Sequence, residues 1–190
     1  MKKVASDMLK IRTFAAHEWQ AYKNIRLRAL ADSPDAFGRT LAEAQEYPND
    51  YWLGRLSSES NASWDLPLVA EWDGKPVGLA WGRIQASRPE VANLYQVWVD
   101  PNYRQRGVGQ MLLERVIAWA RARNARYLDL GVTFADSPAL RLYQRNGFEP
   151  TADPEPLRPG SALLGLPMRL DLTSNMASAE GELKSGRTIR

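Results

Sequence analysis

A chain of 190 residues with 44% hydrophobic and 25% charged side chains has the makeup of one globular domain, and excludes disordered and collagen-like classes. The absence of cysteine excludes disulfides, thiolate metal sites and a thiol nucleophile, and fits a reducing compartment. The net charge is only +3, no stretch reaches membrane-spanning length, and Lys2 and Lys3 lead into no apolar signal core, so a cytoplasmic protein without membrane contact is expected.

Residues 8–14 read as a first strand, and residues 16–31 as an amphipathic helix carrying Trp19, Tyr22, Ile25 and Leu30. Asp32, Ser33, Pro34 and Asp35 break it, and a second helical region rich in acids and aromatics runs through Leu41, Glu43, Glu46, Tyr51 and Trp52. Residues 66–72 and 77–85 are strands joined by the Asp73-Gly74 turn, an antiparallel hairpin. A further strand at 91–99 is stopped by Asp100, Pro101 and Asn102. From Val108, apolar Leu112, Val116 and Trp119 mark the clearest helix in the chain.

Residues 127–132 form a strand, and residues 138–145 a short helix with Ser137 as cap, Pro138 at its first position and Asn146-Gly147 at its end. Residues 162–172 read as a closing strand, which makes 1–172 one domain and leaves 173–190, poor in apolar residues, as a tail. Strands and helices in this order predict an α+β fold with a central, mostly antiparallel sheet.

The chemistry is densest where Val97, Trp98 and Val99 run through a Pro-containing turn into Arg104, Gln105, Arg106, Gly107, Val108, Gly109 and Gln110. A helix entrance offers unpaired N–H groups and the positive end of its dipole, two glycines leave room for close approach, and two arginines add charge. That chemistry suits a pyrophosphate. A dinucleotide fingerprint would need a third glycine where Leu112 stands, and a P-loop would need Gly-Lys-Ser/Thr in place of Gln110 and Met111. Taken alone, the pattern is also compatible with a plain turn and solvated arginines.

The run from Arg104 to Gly109 resembles the pyrophosphate loop of the GNAT superfamily of acyl-CoA N-acyltransferases, Gln/Arg-x-x-Gly-x-Gly/Ala. A second block, Ala139, Leu140, Arg141, Leu142, Tyr143, Gln144, Arg145, Asn146, Gly147 and Phe148, is similar to the same superfamily's Ala-x-x-Leu-Tyr-x-Lys-x-Gly-Phe segment. The resemblance implies the GNAT fold, with about six to seven strands in a twisted sheet flanked by about four helices. It implies acetyl-CoA as acyl donor, with no metal, and transfer to a primary amine in a ternary complex. Val97, Trp98 and Val99 would meet the pantetheine arm, residues 104–110 the pyrophosphate, and Tyr143 would be the general acid. A phenol, of reference pKa roughly 10 against roughly 8.5 for a thiol, can return a proton to departing thiolate. Asp136 stands where the superfamily often has a cofactor-contacting Asn, and an ionised Asp accepts but does not donate.

A general base is missing from its usual strand position, which here is Asn93; Glu43, Glu46, or a water held by Tyr95 or Gln96, are the remaining candidates. His17, the only histidine, reads as structural or solvent-facing, and no spacing suggests a metal site. The resemblance implies an acceptor cleft bordered by the first two helical regions. Asp32, Asp35, Glu43, Glu46 and Asp50 with Tyr47, Tyr51, Trp52 and Trp64 predict that it suits a cationic amine, a small or amino-acid-like molecule before a protein lysine or N-terminal amine. A GNAT-fold module that binds acyl-CoA without turnover is the alternative. Arginines 115, 121, 123 and 126 gather at a helix end, where solvated capping explains them better than nucleic-acid binding. Edge strands leave a homodimer open.

Overall fold

A computed structural model describes residues 8–57 and 64–173. One mixed sheet organises them, built from β1 (Leu9–Thr13), β2 (Asp65–Trp72), β3 (Lys75–Gln85), β4 (Arg88–Val99), β5 (Tyr127–Thr133), β6 (Glu149–Pro150), β7 (Glu155–Pro156) and β8 (Leu164–Asp171). The order across it is β1-β2-β3-β4-β5-β8-β6, with β7 also on β8. All pairings are antiparallel except that of β4 with β5. The expected α+β architecture is therefore present, extended by the two-residue strands β6 and β7, too short to carry a periodic signal.

Helices α1 (Trp19–Asp32), α2 (Leu41–Gln45), α3 (Asn49–Ser57), α4 (Val108–Ala122) and α5 (Pro138–Arg145) complete the domain. The second helical region is two helices because Pro48 lies between them and cannot donate a backbone hydrogen bond. Thr40 caps α2 by accepting from the Glu43 amide at 3.2 Å, while the Glu43 carboxylate accepts from the Thr40 amide at 2.7 Å. The predicted Asp73-Gly74 turn has φ of 49° and 77°, the positive pair that a tight hairpin needs. Of the predicted tail at 173–190 all but Thr173 lies outside the described residues, as do Lys2 and Lys3.

Two apolar layers sandwich the sheet. Leu112, Leu113, Val116 and Trp119 of α4 bury against Leu68, Ala80, Ile84 and Leu94 on one face. On the other, Tyr22, Ile25, Ala29 and Leu30 of α1 meet Trp52, Val69, Leu79 and Trp81. Each large side chain buried this way contributes on the order of 2 kcal/mol, which is what fixes the strand register.

A bulge interrupts that register where the site lies. Trp81 pairs with Tyr95 and Leu79 with Trp98, so two β4 residues, Gln96 and Val97, oppose the single Ala80. Gln96 takes φ of 59° to make the insertion. Because side chains alternate along a strand, one extra residue flips those beyond it: Leu94 buries in the α4 layer, whereas Trp98 buries in the α1 layer. No helix of the described residues is long and apolar enough to cross a membrane.

Candidate active site

The parallel ladder between β4 and β5 stops at Leu94 and Leu130. Past it the strands part, and the β4 edge facing β5 is left without a ladder partner. A cavity of about 1240 Å³ fills the opening, with Gln96, Val97 and Val99 on one wall and Val132, Thr133 and Tyr143 on the other.

The start of α4 forms one end of this cavity. Gly107 is its N-cap at φ 81°, a left-handed conformation that favours glycine, and a Cβ built there would meet nothing within 4 Å. The first intrahelical acceptor in the turn is Gly107, which takes the Met111 amide at 3.0 Å. Helix geometry therefore leaves the amides of Val108, Gly109 and Gln110 facing the cavity without helical partners. Gln105 reaches the same loop at φ 61°. Gln110 exchanges amide hydrogen bonds with Asn146, each 2.9 Å long, tying the α4 entrance to the end of α5.

The two loop arginines part company. Arg104 lines the cavity, but its Nε donates to the Val99 carbonyl at 2.9 Å and its Nη2 pairs with Asp32. Asp32 also accepts from Trp98 Nε1 at 2.8 Å and from Ser33 Oγ at 2.6 Å, and these donors hold its carboxyl below the usual range against the opposing effect of burial. Arg106 is not among the cavity-lining residues; its guanidinium lies over the rings of Trp72 and Tyr103, at 5.3 and 5.6 Å.

Tyr143 projects from α5 into the cavity wall, 5% exposed, with its ring edge-on to Phe148 at 5.6 Å. Its sequence neighbours explain the placement: Ser137 accepts from the Leu140 amide at 3.1 Å, Pro138 opens the helix, and Gly147 at φ 84° ends it. Burial pushes the phenol well above its ordinary range. Among the described residues its hydroxyl has no hydrogen-bond partner. Asp136, by contrast, faces solvent, pairs with Arg141, and does not line the cavity.

The other end of the cavity lies under α1 and α3. Among the described residues, seven arginines line the cavity against two aspartates, Asp32 and Asp35. Arg83 is neutralised by a two-pronged pair with Asp65, at 2.6 and 2.7 Å. Arg26 and Arg55 have no ion-pair partner among the described residues; each has a buried nitrogen, Nη1 and Nε respectively, without a hydrogen bond. They lie over aromatic rings, Arg26 over Phe37 at 4.3 Å and Arg55 over Trp81 at 4.2 Å.

Residues 19–148 match the model of the acetyltransferase (GNAT) family, well over half of the chain. The chain belongs to the GNAT family. A mycothiol acetyltransferase of Acidimicrobium ferrooxidans is 31% identical over 148 residues, 75% of this chain and 44% of that protein. The chain spans less than half the length of the curated relatives it matches first. A GNAT-family acetyltransferase from Streptococcus pneumoniae shares the fold with a TM-score of 0.73 at 20% identity, covering 86% of this chain and 99% of that one. So does yncA from Salmonella typhimurium, solved with its cofactor acetyl-CoA, with a TM-score of 0.71 at 23% identity and coverage of 87% and 94%.

Within this GNAT domain the residues expected around the donor come together: Val97, Trp98, Val99, Arg104, Gln105, Gly107, Val108, Gly109, Gln110 and Tyr143 all line one cavity. Arg106 and Asp136 do not: Arg106 lies over two aromatic rings, and Asp136, facing solvent, pairs with Arg141. The acidic acceptor cleft is not what the cavity presents. Glu43 is spent on capping Thr40, and Glu46, Asp50, Tyr47, Trp52 and Trp64 are absent from the lining, which leaves Asp32, Asp35 and Tyr51 from the expected set. His17 is exposed and is not among the lining residues. Sequence reasoning passed over Arg26 and Arg55 because an arginine within a helix reads as a solvated face.

Proposed function

We propose that this chain transfers acetyl from acetyl-CoA to the primary amine of a small molecule within a ternary complex. The loop amides, the open space beyond Gly107 and the parted strands fit a pyrophosphate joined to a thin extended arm. Val108, Gly109 and Gln110 would donate to the diphosphate. Val97 and Val99 would offer β4 backbone groups to the pantetheine amides. Arg104 acts differently from the expectation: it fastens the loop to Val99 and Asp32, and its remaining N–H groups stay available to an anion.

Acetyl-CoA supplies an acetyl carbon activated as a thioester. As a carbon–nitrogen bond replaces the carbon–sulfur bond, the amine gives up a proton and the departing sulfur needs one. Tyr143 holds that proton on Oη. Burial keeps the phenol neutral, and the same dry surroundings raise the proton affinity of the sulfur, so the transfer runs between groups shifted in the same direction. Water held at the β4 bulge by Tyr95 takes the amine proton; neither Glu43 nor Glu46 reaches the cavity.

The observation that carries this reading is Tyr143, a side chain only 5% exposed whose hydroxyl, without a hydrogen-bond partner among the described residues, stands on the wall of the opening between β4 and β5. The test is a thiol-release assay with acetyl-CoA over a panel of amines, with Tyr143→Phe alongside. Amine-dependent release of CoA that collapses in the variant is the expected result. Binding of acetyl-CoA with no amine-dependent release from any acceptor would leave a cofactor-binding module instead.

A further inference from the structure

We infer that the acceptor carries a carboxylate as well as its amine, and that Arg26 and Arg55 receive that carboxylate; this deepens the acetyl-transfer reading and rests on it. Arg26 is 6% exposed, yet its Nη1 has no hydrogen-bond partner, and no acidic side chain among the described residues pairs with it. A buried cation left unpaired is costly enough to be rare outside binding sites. Burial lowers its pKa, and the neighbouring Arg39 and Arg55 lower it further, so the local field is one that calls for an anion.

Arg55 makes the same point independently. Its Nε is buried without a hydrogen-bond partner among the described residues, from a different helix, and its guanidinium lies over the Trp81 ring. Two planar forks fixed over aromatic rings suit a planar two-oxygen group, which they can grip in a forked manner. Both residues line the same cavity as Tyr143. Arg26 stands six residues before Asp32 on α1, about 9 Å along the helix axis, so the anion site lies well back from the pyrophosphate loop.

The placement also bears on the missing base. Cationic neighbours disfavour the protonated form of an amine, so an acceptor amine brought near these arginines loses its proton more readily than in water. A strong carboxylate base then becomes unnecessary, in keeping with Asn93 where one would otherwise stand. The acceptor so described is an amino acid or a close analogue, compact enough to bring an amine to the thioester while its acid end meets the arginines.

The experiment is a calorimetric titration of the CoA-saturated protein with common amino acids, each compared with its primary amide. At least one free acid is expected to bind, with its amide weaker by about tenfold or more. Arg26→Gln and Arg55→Gln are expected to erase that preference while each still binds acetyl-CoA within about twofold of the parent, which also certifies their fold. Equal binding of acids and amides, binding of neither, or a preference that survives both substitutions would overturn the inference. Failure to bind acetyl-CoA at all would bring down the acetyl-transfer reading with it; CoA release with uncharged amines but no preference for acids would sink the carboxylate site alone.

Discussion

The hydroxyl of Tyr22 donates to Oε1 of Gln96 at 2.9 Å, so a buried α1 residue holds the side chain on which β4 bulges. Tyr22 is itself wedged edge-on against Phe14 and Trp52 and tilted against Trp81, which leaves its hydroxyl little freedom to aim elsewhere. The bulge sits where β4 leaves β5. The acceptor layer and the donor opening are thus joined through one hydrogen bond.

Tyr22→Phe removes that bond and keeps the ring. A loss of about 1 kcal/mol in stability is expected, read by urea unfolding, because one neutral hydrogen bond of this kind is worth about that much. The KM for acetyl-CoA should rise at the same time. An unchanged KM would mean that the bulge holds its shape without help from α1.

Tyr143→Phe should leave stability within about 0.5 kcal/mol of the parent, since among the described residues the hydroxyl has no hydrogen-bond partner to lose and the packing against Phe148 remains. It should lower kcat by about 100-fold or more with little change in the KM for acetyl-CoA, as expected for loss of a general acid. Because burial raises the phenol's pKa, the parent should keep its activity as pH passes the ordinary tyrosine value of about 10. The linked effect on stability has the opposite sense. The folded state holds this proton more tightly than the unfolded chain does, so stability falls as pH rises above that same value and is unaffected below it.

Much of this was legible in the amino-acid sequence, for reasons that particular residues make plain. The α4 entrance could be read because Gly107, at φ 81°, is a backbone requirement, visible without any tertiary contact. The placement of Tyr143 could be read from Ser137, Pro138 and Gly147, a local grammar of cap, first turn and stop. Side-chain destinations across the fold could not. Arg106 looks in sequence like the partner of Arg104, yet whether it turns inward depends on Trp72, which arrives from β2. The acids of the second helical region stand off the cavity for a similar reason: the Thr40 cap spends Glu43 locally, while the cavity wall is supplied by α1 and α3 arginines whose burial only packing decides.

Arg104→Ala and Arg106→Ala should therefore differ. Loss of Arg104 removes the tie to Asp32 and the Val99 carbonyl, and the KM for acetyl-CoA should rise about tenfold. Loss of Arg106, which lies over the half-buried rings of Trp72 and Tyr103 and does not itself line the cavity, should change it by less than about threefold. Asp32→Ala should mimic Arg104→Ala, and the double variant should be little worse than either, because both break the same contact. Additive effects would show that Arg104 serves the anion and the loop independently.

Gly107→Ala tests the loop backbone itself. At φ 81° an alanine is strained by about 1 kcal/mol, and its Cβ would enter the open space that a diphosphate would fill. Stability should drop by that amount and acetyl-CoA affinity by more than the strain alone explains. Equal losses in the two measurements would mean that the Cβ meets no ligand there.

Arg26→Met should make the protein more stable while damaging acceptor binding. Burial lowers the pKa of the guanidinium to about 10, so at neutral pH the folded state carries a destabilised charge worth about 3 kcal/mol at most. For a cation with a lowered folded pKa, that penalty is complete below about pH 10 and is relieved only as pH rises beyond it. Methionine fills similar space without charge, but it gives up the contact with the Phe37 ring, worth about 1 kcal/mol, so a net gain of about 1–2 kcal/mol is expected in urea unfolding at neutral pH. A gain in stability coupled to a loss of function is what distinguishes a residue kept for a ligand from one kept for the fold. A loss of stability in Arg26→Met would instead make Arg26 a structural residue with a partner supplied by the protein itself.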